Sequence, residues 1–413
     1  MEEQTLEEVL QDPESFEASK ASFVSGIVSA AADVDPTTVA TLAIAGATIV
    51  YGLEWLVILI VPMFAVVQMI GTQVATVCGE GLQSAVRRRY GLWIAMLSLV
   101  CIIGVNVITY AADLEAGAAA LHLLTSIPFA WFLVPISLGV VVLLVYGSMD
   151  RVRRVLILLP LAFLAYVATT FIAHPNWHDV AQGLIPRLRS DNDYISTVVA
   201  LIGTSLTTYS YYWQTVEIAA EAPPKRAVWA VQLASLPGTL ITGVVLWFIL
   251  IGTASTLGAH HKSVDTAQEA AQALAPIAGQ WASAIFGIGL FGSAMLALPV
   301  IAAGTASAVS TTFRWGGSLD KRPRDARRFY ATLFIGVATA TALALFKIPP
   351  IKLLFWASIA GGFGTPITLG LLVLLSRSKR MMAGNISPAW LATAGWIVTA
   401  VITIASLAFI RWH

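Results

Sequence analysis

Long apolar stretches recur along the whole chain and alternate with short polar or charged connections. A helix needs about 20 apolar residues to cross the hydrocarbon core of a bilayer. By that measure the pattern predicts eleven membrane-spanning helices, over residues 22–47, 50–77, 92–122, 127–147, 153–173, 194–220, 226–256, 279–311, 328–346, 351–375 and 389–410. We therefore expect an all-α integral membrane protein.

The composition agrees with this pattern and narrows the function. Hydrophobic residues make up 57% of the 413-residue chain and charged residues 11%, whereas soluble domains carry about 25% charged residues. The sequence has no zinc-ligand spacing, nucleophile motif or glycine-rich phosphate loop, and no soluble domain to carry chemistry. We expect no enzyme activity, no cofactor and no nucleic acid partner. The expected partners are the lipid bilayer and a small solute, and the expected state is a monomer.

The basic residues indicate how the chain is oriented. Short cytoplasmic loops are enriched in lysine and arginine, and an odd number of spans places the two termini on opposite sides. If the N-terminus is cytoplasmic, eighteen of the 24 basic residues lie on that side, chiefly near 87–89, 151–154, 321–328 and 377–380. We predict a multi-pass protein of the inner or plasma membrane with a cytoplasmic N-terminus and an external C-terminus.

The first apolar segment is interrupted by Asp35 and Pro36, with Thr37 and Thr38 following. A charge near the bilayer centre costs roughly 2.5–3.5 kcal/mol on insertion scales, so such residues usually line a bundle interior and meet an ion, a proton or a partner. Proline also removes a backbone donor and frees carbonyl oxygens where no water is present. The segment is therefore interpreted as a broken helix built around a cation.

A second interruption lies in the sixth segment, over residues 203–214, where glycine and hydroxyl residues replace the leucine, isoleucine and valine of the neighbouring segments. It follows the first by five spans, as an inverted repeat of two five-helix halves requires, with discontinuous helices that face each other at the midplane. Hydroxyl groups in membrane helices also serve packing. For Thr207 and Thr208 this alternative stays open.

Residues 26–41, GIVSAAADVDPTTVAT, resemble the first helix of the Nramp divalent-metal transporters, whose signature is Asp-Pro-Gly-Asn followed by an aromatic residue, Ala and Thr. The resemblance continues at residues 150–155, 175–177, 183–186 and 203–212, in the order of the family. It implies the leucine-transporter-type fold of two inverted five-helix repeats plus an eleventh helix. The implied domains are a cytosolic acidic tail (1–21), the first repeat (22–173), an external loop (174–193), the second repeat (194–376), and the eleventh helix with the C-terminus (377–413).

The departures from the family pattern concern the metal ligands. Thr38 stands where the family has Asn, and Thr207, Thr208 and Tyr209 stand where it has Met-Pro-His. A methionine sulfur favours transition metals, whereas hydroxyl, carboxylate and carbonyl oxygens suit hard ions such as Mg²⁺, Mn²⁺ or Ca²⁺. Mg²⁺ also keeps several of its waters. Threonine is smaller than the methionine of the family and would leave room for them. The chain is most similar to the distant Nramp-related branch proposed to carry magnesium, and the expected ligands are Asp35, Thr38 and Thr207.

Further residues are expected around this ion on the strength of the same resemblance. Thr204, Thr208, Tyr209, Trp213 and Ser358 would lie in the cavity or behind the ligands. Tyr209 replaces the histidine of the family, and a phenol does not exchange protons near neutral pH, so proton coupling is not expected. Asp113 and Glu115 in the third segment would form the proton route if one exists, and the register of these acids against the family stays open.

Four functions are compared. The leading one is a secondary transporter or facilitator for Mg²⁺, with Mn²⁺ also carried, into the cytoplasm by alternating access and without protons. The first alternative is a proton-coupled importer of Mn²⁺ or Fe²⁺. The second is an organic-solute carrier of the same fold, against which Asp35 argues because an acid repels a substrate carboxylate. A membrane enzyme or receptor lacks any supporting motif.

Overall fold

The computed structural model describes residues 23, 34–147, 164–225, 228–258, 269–270, 282–319, 321–346 and 348–412. These residues form helices and connections. The helices are α1 (Pro36–Ile49), α2 (Glu54–Cys78), α3 (Leu82–Thr125), α4 (Ala130–Tyr146), α5 (Leu164–Ile172), α6 (Trp177–Gly183), α7 (Asn192–Ser205), α8 (Thr208–Glu221), α9 (Val228–Thr256), α10 (Ala282–Thr312), α11 (Arg327–Ala344), α12 (Pro350–Ser376), α13 (Lys379–Met382) and α14 (Ala389–Trp412).

Each predicted span contains a described helix. Within the described residues, six helices are long and apolar enough to cross a membrane, namely α2, α3, α9, α10, α12 and α14. The beginnings of the first, fifth, seventh and eighth predicted spans lie outside the described residues, as do residues 26–33 and 150–155 of the family resemblance. The sixth predicted span is two helices, α7 and α8, which break at Leu206 and Thr207.

Two groups of helices make up the bundle. In the first group, α9 packs against α1 and α2, and α8 also packs against α2. In the second, α10 packs along α3, while α4 and α11 cover the same pair. Helices α7 and α12 contact each other and α1, and α12 also packs along α3 and against α14. The half-helices α1, α7 and α8 therefore lie between the two groups.

Contacts between connections are found in two places among the described residues. At one end, the Tyr51 hydroxyl lies 3.0 Å from Ser255 Oγ, and Gly183 of α6 packs on the Tyr51 carbonyl. At the other end, Arg89 Nε donates to Ser378 Oγ at 3.1 Å. All the connections of the first end are predicted to be external and those of the second cytoplasmic. Which end faces the cytoplasm stays a prediction.

Local chemistry explains one predicted boundary and adds a helix that the hydropathy pattern misses. Gly91 has φ +86°, in the left-handed region that favours glycine, and it separates residues 82–90 from the apolar part of α3. The external loop predicted over 174–193 contains the helix α6, because Asn176 caps it by accepting the His178 N–H at 3.1 Å. Short capped helices of this kind carry no hydropathy signal.

Gly203 of α7 crosses α12 at very close range. A Cβ atom on Gly203 would meet the Ser358 carbonyl oxygen and would lie 2.7 Å from the backbone nitrogen of Gly362. Neither of these α12 groups is the movable end of a side chain. Glycine at this position is therefore what lets the end of α7 pack on α12, next to the break at Leu206.

We expect Gly203→Ala to lower the free energy of unfolding by about 1–3 kcal/mol, as overpacking of a close contact does. Thermal unfolding of the detergent-purified protein, followed by tryptophan fluorescence, measures the shift. Gly104→Ala is the matched control, because nothing lies within 4 Å of a Cβ there. Equal transition temperatures for the two variants would contradict the proposed close contact.

Candidate ion-binding site

The site is built around the start of α1. Asp35 has an extended backbone conformation and is the N-cap of this helix, with Oδ1 accepting the Thr38 N–H at 2.7 Å. Pro36 occupies the first helical position, where no backbone donor is needed. The sequence Asp-Pro-Thr-Thr thus begins a helix in the interior of the bundle. Asp35 is fully buried.

The second broken segment meets the same carboxylate. Thr207 has an extended backbone conformation and precedes α8, and the Tyr209 hydroxyl in the first turn of α8 donates to Asp35 Oδ2 at 2.8 Å. Residues 174 positions apart in sequence are thereby joined across the centre of the bundle. The structure brings together the two interruptions that the sequence pattern identified separately.

The end of α7 adds oxygen atoms beside Asp35. Thr38 Oγ1 lies 2.8 Å from Thr204 Oγ1 and 3.5 Å from the Thr204 carbonyl oxygen. The last carbonyl groups of a helix have no donor within that helix and carry partial negative charge. Asp35, Thr38 and Thr204 therefore present carboxylate, hydroxyl and carbonyl oxygens at one place, a combination that favours a hard cation.

Thr207 and Thr208 have different surroundings. Thr207 is buried at the break itself, two residues before Tyr209. Thr208 Oγ1 instead lies 3.2 Å from Thr365 Oγ1 on α12, and Thr365 Oγ1 donates to the Leu206 carbonyl at 3.0 Å. Thr208 thus ties the start of α8 to α12.

Ser358 and Trp213 lie at the edge of the site. Ser358 Oγ on α12 is 2.8 Å from Thr41 Oγ1, one turn along α1 from Thr38. Trp213 is buried one turn along α8 from Tyr209. A Cβ on Gly304 of α10 would lie 4.0 Å from its ring, so Trp213 packs toward α10.

The two acids of α3 separate in the structure. Thr37 Oγ1 donates to Asp113 Oδ1 at 2.7 Å, which places Asp113 next to the start of α1. Glu115, two residues further on, projects from another side of α3. Both are fully buried, and among the described residues neither Asp113 Oδ2 nor either Glu115 carboxylate oxygen has a hydrogen-bond partner. Of the two, Asp113 is the acid connected to the Asp35 region.

Sequence reasoning missed several residues that the site uses. Thr37 links Asp35 to Asp113, Thr41 reaches Ser358, and Ser293 of α10 donates to the Val34 carbonyl at 2.6 Å. The spacing of Thr37, Thr38 and Thr41 was an available signal, because residues three and four apart share a helix face. Ser293 could not be found this way, since its partner is 259 positions distant.

No group of three or more His, Cys, Asp or Glu side chains that could hold a metal ion occurs in the described part of the chain. Asp35 instead accepts hydrogen bonds from the Thr38 N–H and the Tyr209 O–H, and the hydroxyl groups of Thr37, Thr38 and Thr204 lie in the same region. The arrangement could bind one cation through the Asp35 carboxyl group and neutral oxygens, with the Asp113 carboxyl group close by. These donor atoms are oxygens, without a sulfur ligand among them.

Comparison with proteins of known sequence identifies relatives over nearly the whole chain. The divalent metal cation transporter MntH of Mycobacterium tuberculosis is 25% identical over 407 residues, covering 93% of this chain and 89% of that protein. MntH of Deinococcus radiodurans is 25% identical over 409 residues, covering 94% of this chain and 88% of that protein.

Solved structures agree on the fold. A manganese transporter of Eremococcus coleocola, crystallised with an aromatic bis-isothiourea compound, superimposes with a TM-score of 0.79 at 17% identity, covering 95% of this chain and 86% of that one. The nucleobase-cation-symport transporter Mhp1 superimposes with a TM-score of 0.58 at 12% identity, covering 95% and 92%. The leucine-transporter-type fold expected from the sequence is thus confirmed.

The sequence profile of the natural resistance-associated macrophage protein-like family matches residues 26–411. This range includes the start of α1, the break between α7 and α8, and every helix that contributes to the site. The chain therefore belongs to the Nramp family.

Proposed function

We propose that this protein carries divalent metal cations, Mg²⁺ foremost and Mn²⁺ with it, into the cytoplasm by alternating access and without a coupled proton. The observation that carries this proposal is the buried carboxylate of Asp35, which lies between the starts of α1 and α8 among hydroxyl and carbonyl oxygens, with Asp113 nearby. Relatives named as divalent metal cation transporters support the choice of substrate class.

The choice of Mg²⁺ depends on the donor atoms. Oxygen ligands suit hard ions, and a sulfur ligand would favour softer metals. Thr207 precedes α8, and the sequence resemblance implies that it stands where the family motif has methionine. Mg²⁺ dehydrates reluctantly and is usually held by one or two carboxylates together with its own waters. A site with Asp35, Thr38 and Thr207 as ligands fits that mode of binding, and Mn²⁺ accepts the same oxygen donors.

An organic solute is disfavoured by the same geometry. The start of α8 would attract a substrate carboxylate through its partial positive charge. However, Asp35 lies within hydrogen-bond distance of the first turn of α8, so its own negative charge occupies that position. A cation gains from this arrangement, whereas an anionic group meets repulsion.

A proton-coupled importer of Mn²⁺ or Fe²⁺ is the second candidate, and one observation favours it. Asp113 is connected to the Asp35 region through Thr37, so a buried acid that could accept a proton lies beside the ion. The manganese transporter with a similar fold supports the same candidate. The two functions are separated by measuring proton flux directly.

Replacing the carboxylate is the first test. We expect Asp35→Ala to reduce Mg²⁺ and Mn²⁺ uptake into proteoliposomes to the level of empty liposomes, because the ion loses its only full countercharge among the expected ligands. Size-exclusion chromatography should still give a folded, monodisperse protein. Asp179→Ala, which removes an exposed acid on α6, should leave uptake unchanged. Normal uptake by Asp35→Ala would rule out this site.

The ion selectivity provides a second test. Mg²⁺ and Mn²⁺ should compete for uptake, and Cd²⁺ should have no advantage over either, because the expected ligands offer oxygen alone. Thr207→Met should raise competition by Cd²⁺, whereas Thr48→Met, at an exposed position of α1, should not. A wild-type preference for Cd²⁺ over Mg²⁺ would show that Thr207 does not stand in the ligand position.

Proton coupling is tested with a pH-sensitive dye inside the liposomes. Addition of external Mg²⁺ or Mn²⁺ should leave the lumen at constant pH while the metal enters, because the membrane potential supplies about 2.3 kcal/mol per charge per 100 mV. Asp113→Asn should not alter the dye signal. Metal-dependent acidification that is abolished in Asp113→Asn would establish the proton-coupled alternative.

A further inference from the structure

Three basic stretches of the chain meet at the end of the bundle that is predicted to be cytoplasmic. Arg87 Nε, near the start of α3, donates to the Thr312 carbonyl at the end of α10 at 3.3 Å. Arg89 Nε donates to Ser378 Oγ, just beyond α12, at 3.1 Å. Together the stretches carry twelve lysine and arginine residues against three acids, over residues 79–90, 313–328 and 377–380. The tertiary structure thus gathers charges that lie far apart in the sequence.

Most of these basic side chains have no acidic partner. Eleven of the twelve are exposed. Among the described residues, one ion pair occurs on this surface, between Arg88 Nε and Glu80 Oε1 at 2.8 Å. An excess of positive charge on cytoplasmic connections accompanies the orientation of a membrane protein. Orientation alone, however, requires no particular arrangement of the side chains.

Two aromatic rings give part of this surface a definite arrangement. Phe313 and Trp315 are exposed, and they stack with their ring centroids 5.2 Å apart. Arg328 lies over the Trp315 ring, with Cζ 5.7 Å from the centroid. Phe313 directly follows α10, one of the helices long and apolar enough to span a membrane. The rings therefore lie at the boundary of the membrane, where tryptophan side chains are enriched at the level of the lipid headgroups.

Arg314 stands between these two aromatic residues in a backbone conformation that favours glycine. Its φ is +56°, and the Trp315 N–H donates to the Ser310 carbonyl at 2.9 Å. Helices often end in this way, and the left-handed residue is then usually glycine. The Arg314 side chain is exposed, and it makes no hydrogen bond or ion pair to another described residue. An arginine thus occupies a strained position without an internal contact that accounts for it.

We propose that Arg314 and Arg328, beside Phe313 and Trp315, bind the phosphate headgroup of an anionic phospholipid. Guanidinium groups match the geometry of phosphate through paired hydrogen bonds. Clusters of four to eight basic residues next to a membrane helix attract anionic lipids. The exposed rings supply an apolar surface for the glycerol and upper acyl chains, which a soluble anion would leave uncovered. The basic charge of the whole surface draws the lipid to this place.

The test measures lipid binding and does not depend on transport. Thermal unfolding of the detergent-purified protein is followed while phosphatidylglycerol or, separately, phosphatidylcholine is added. Phosphatidylglycerol should raise the transition temperature of the wild type, and phosphatidylcholine should not. In the double variant Arg314→Gln, Arg328→Gln, the apparent affinity for phosphatidylglycerol should fall about fivefold for each arginine removed. An unchanged affinity would overturn the proposal.

Arg314→Gly separates the loss of charge from any loss of folding. Glycine adopts positive φ without a steric cost, so this variant should unfold at the wild-type temperature or above it when no lipid is added. Its apparent affinity for phosphatidylglycerol should nevertheless fall about fivefold. A folded Arg314→Gly protein with the wild-type response to phosphatidylglycerol would contradict the role of this arginine.

The double variant Arg187→Gln, Lys352→Gln is the matched control. Both residues are exposed and lie at the end that is predicted to be external. The control removes the same two positive charges and should keep the wild-type response to phosphatidylglycerol. If both double variants lose the response equally, the lipid recognises only net charge, and the proposed surface is wrong.

Two other occupants would give distinct results. Inorganic phosphate has no acyl chains and should not reproduce the stabilisation, and an equal effect would assign the surface to a soluble anion. Residues 1–20 contain seven acids and also complement the charge. The phosphatidylglycerol response should be unchanged when four of these acids are neutralised, by Glu2→Gln, Glu3→Gln, Glu7→Gln and Glu8→Gln. A response that appears only in this variant would show that the acidic tail occupies the surface, and it would overturn the lipid proposal.

Discussion

The buried carboxylate of Asp35 is the constraint on which the rest of the structure depends. A charge in the interior of a membrane protein is expensive unless it is paired or hydrogen-bonded. Asp35 is held by the Thr38 N–H of its own helix and by the Tyr209 O–H of α8. The hydrogen bond from Thr38 makes Asp35 the N-cap of α1, so this helix begins at Pro36. The hydrogen bond from Tyr209 brings the start of α8 next to the same carboxylate. The start of α1 and the start of α8 are therefore joined by one interaction.

Around this carboxylate, hydrogen bonds made by threonine hydroxyl groups join neighbouring helices. The hydrophobic effect does not drive helices together within lipid. In lipid, helix association depends on close packing and interhelical hydrogen bonds. The pairs Thr37–Asp113, Thr41–Ser358 and Thr208–Thr365 connect α1 and α8 to α3 and α12, and Gly203 lets α7 approach α12. These contacts surround the half-helices on several sides, so the same groups that stabilise the bundle also define the boundaries of the site.

The candidate site combines the shared fold of the family with side chains that belong to this chain. The fold is shared with proteins only 17% and 12% identical to this chain, which means that the scaffold tolerates extensive change in its side chains. In this chain Asp35 accepts the Thr38 N–H and the Tyr209 O–H, the Thr38 and Thr204 hydroxyl groups lie 2.8 Å apart, and Asp113 accepts a hydrogen bond from Thr37. Under the proposed function, these few groups would set the ion preference while the fold persists.

The sequence by itself determined the class of protein, the positions of the helices and both interruptions, because hydropathy over about 20 residues and a proline beside a carboxylate are local signals. It also identified Asp35, Thr38 and Tyr209 as neighbours of one site, through the family resemblance. Only the tertiary structure decided that Tyr209 binds Asp35 Oδ2, that Asp113 rather than Glu115 meets α1, and that Thr208 contacts α12. These are contacts between residues 76 to 174 positions apart, and which side of a helix meets which neighbour depends on the packing of the whole bundle.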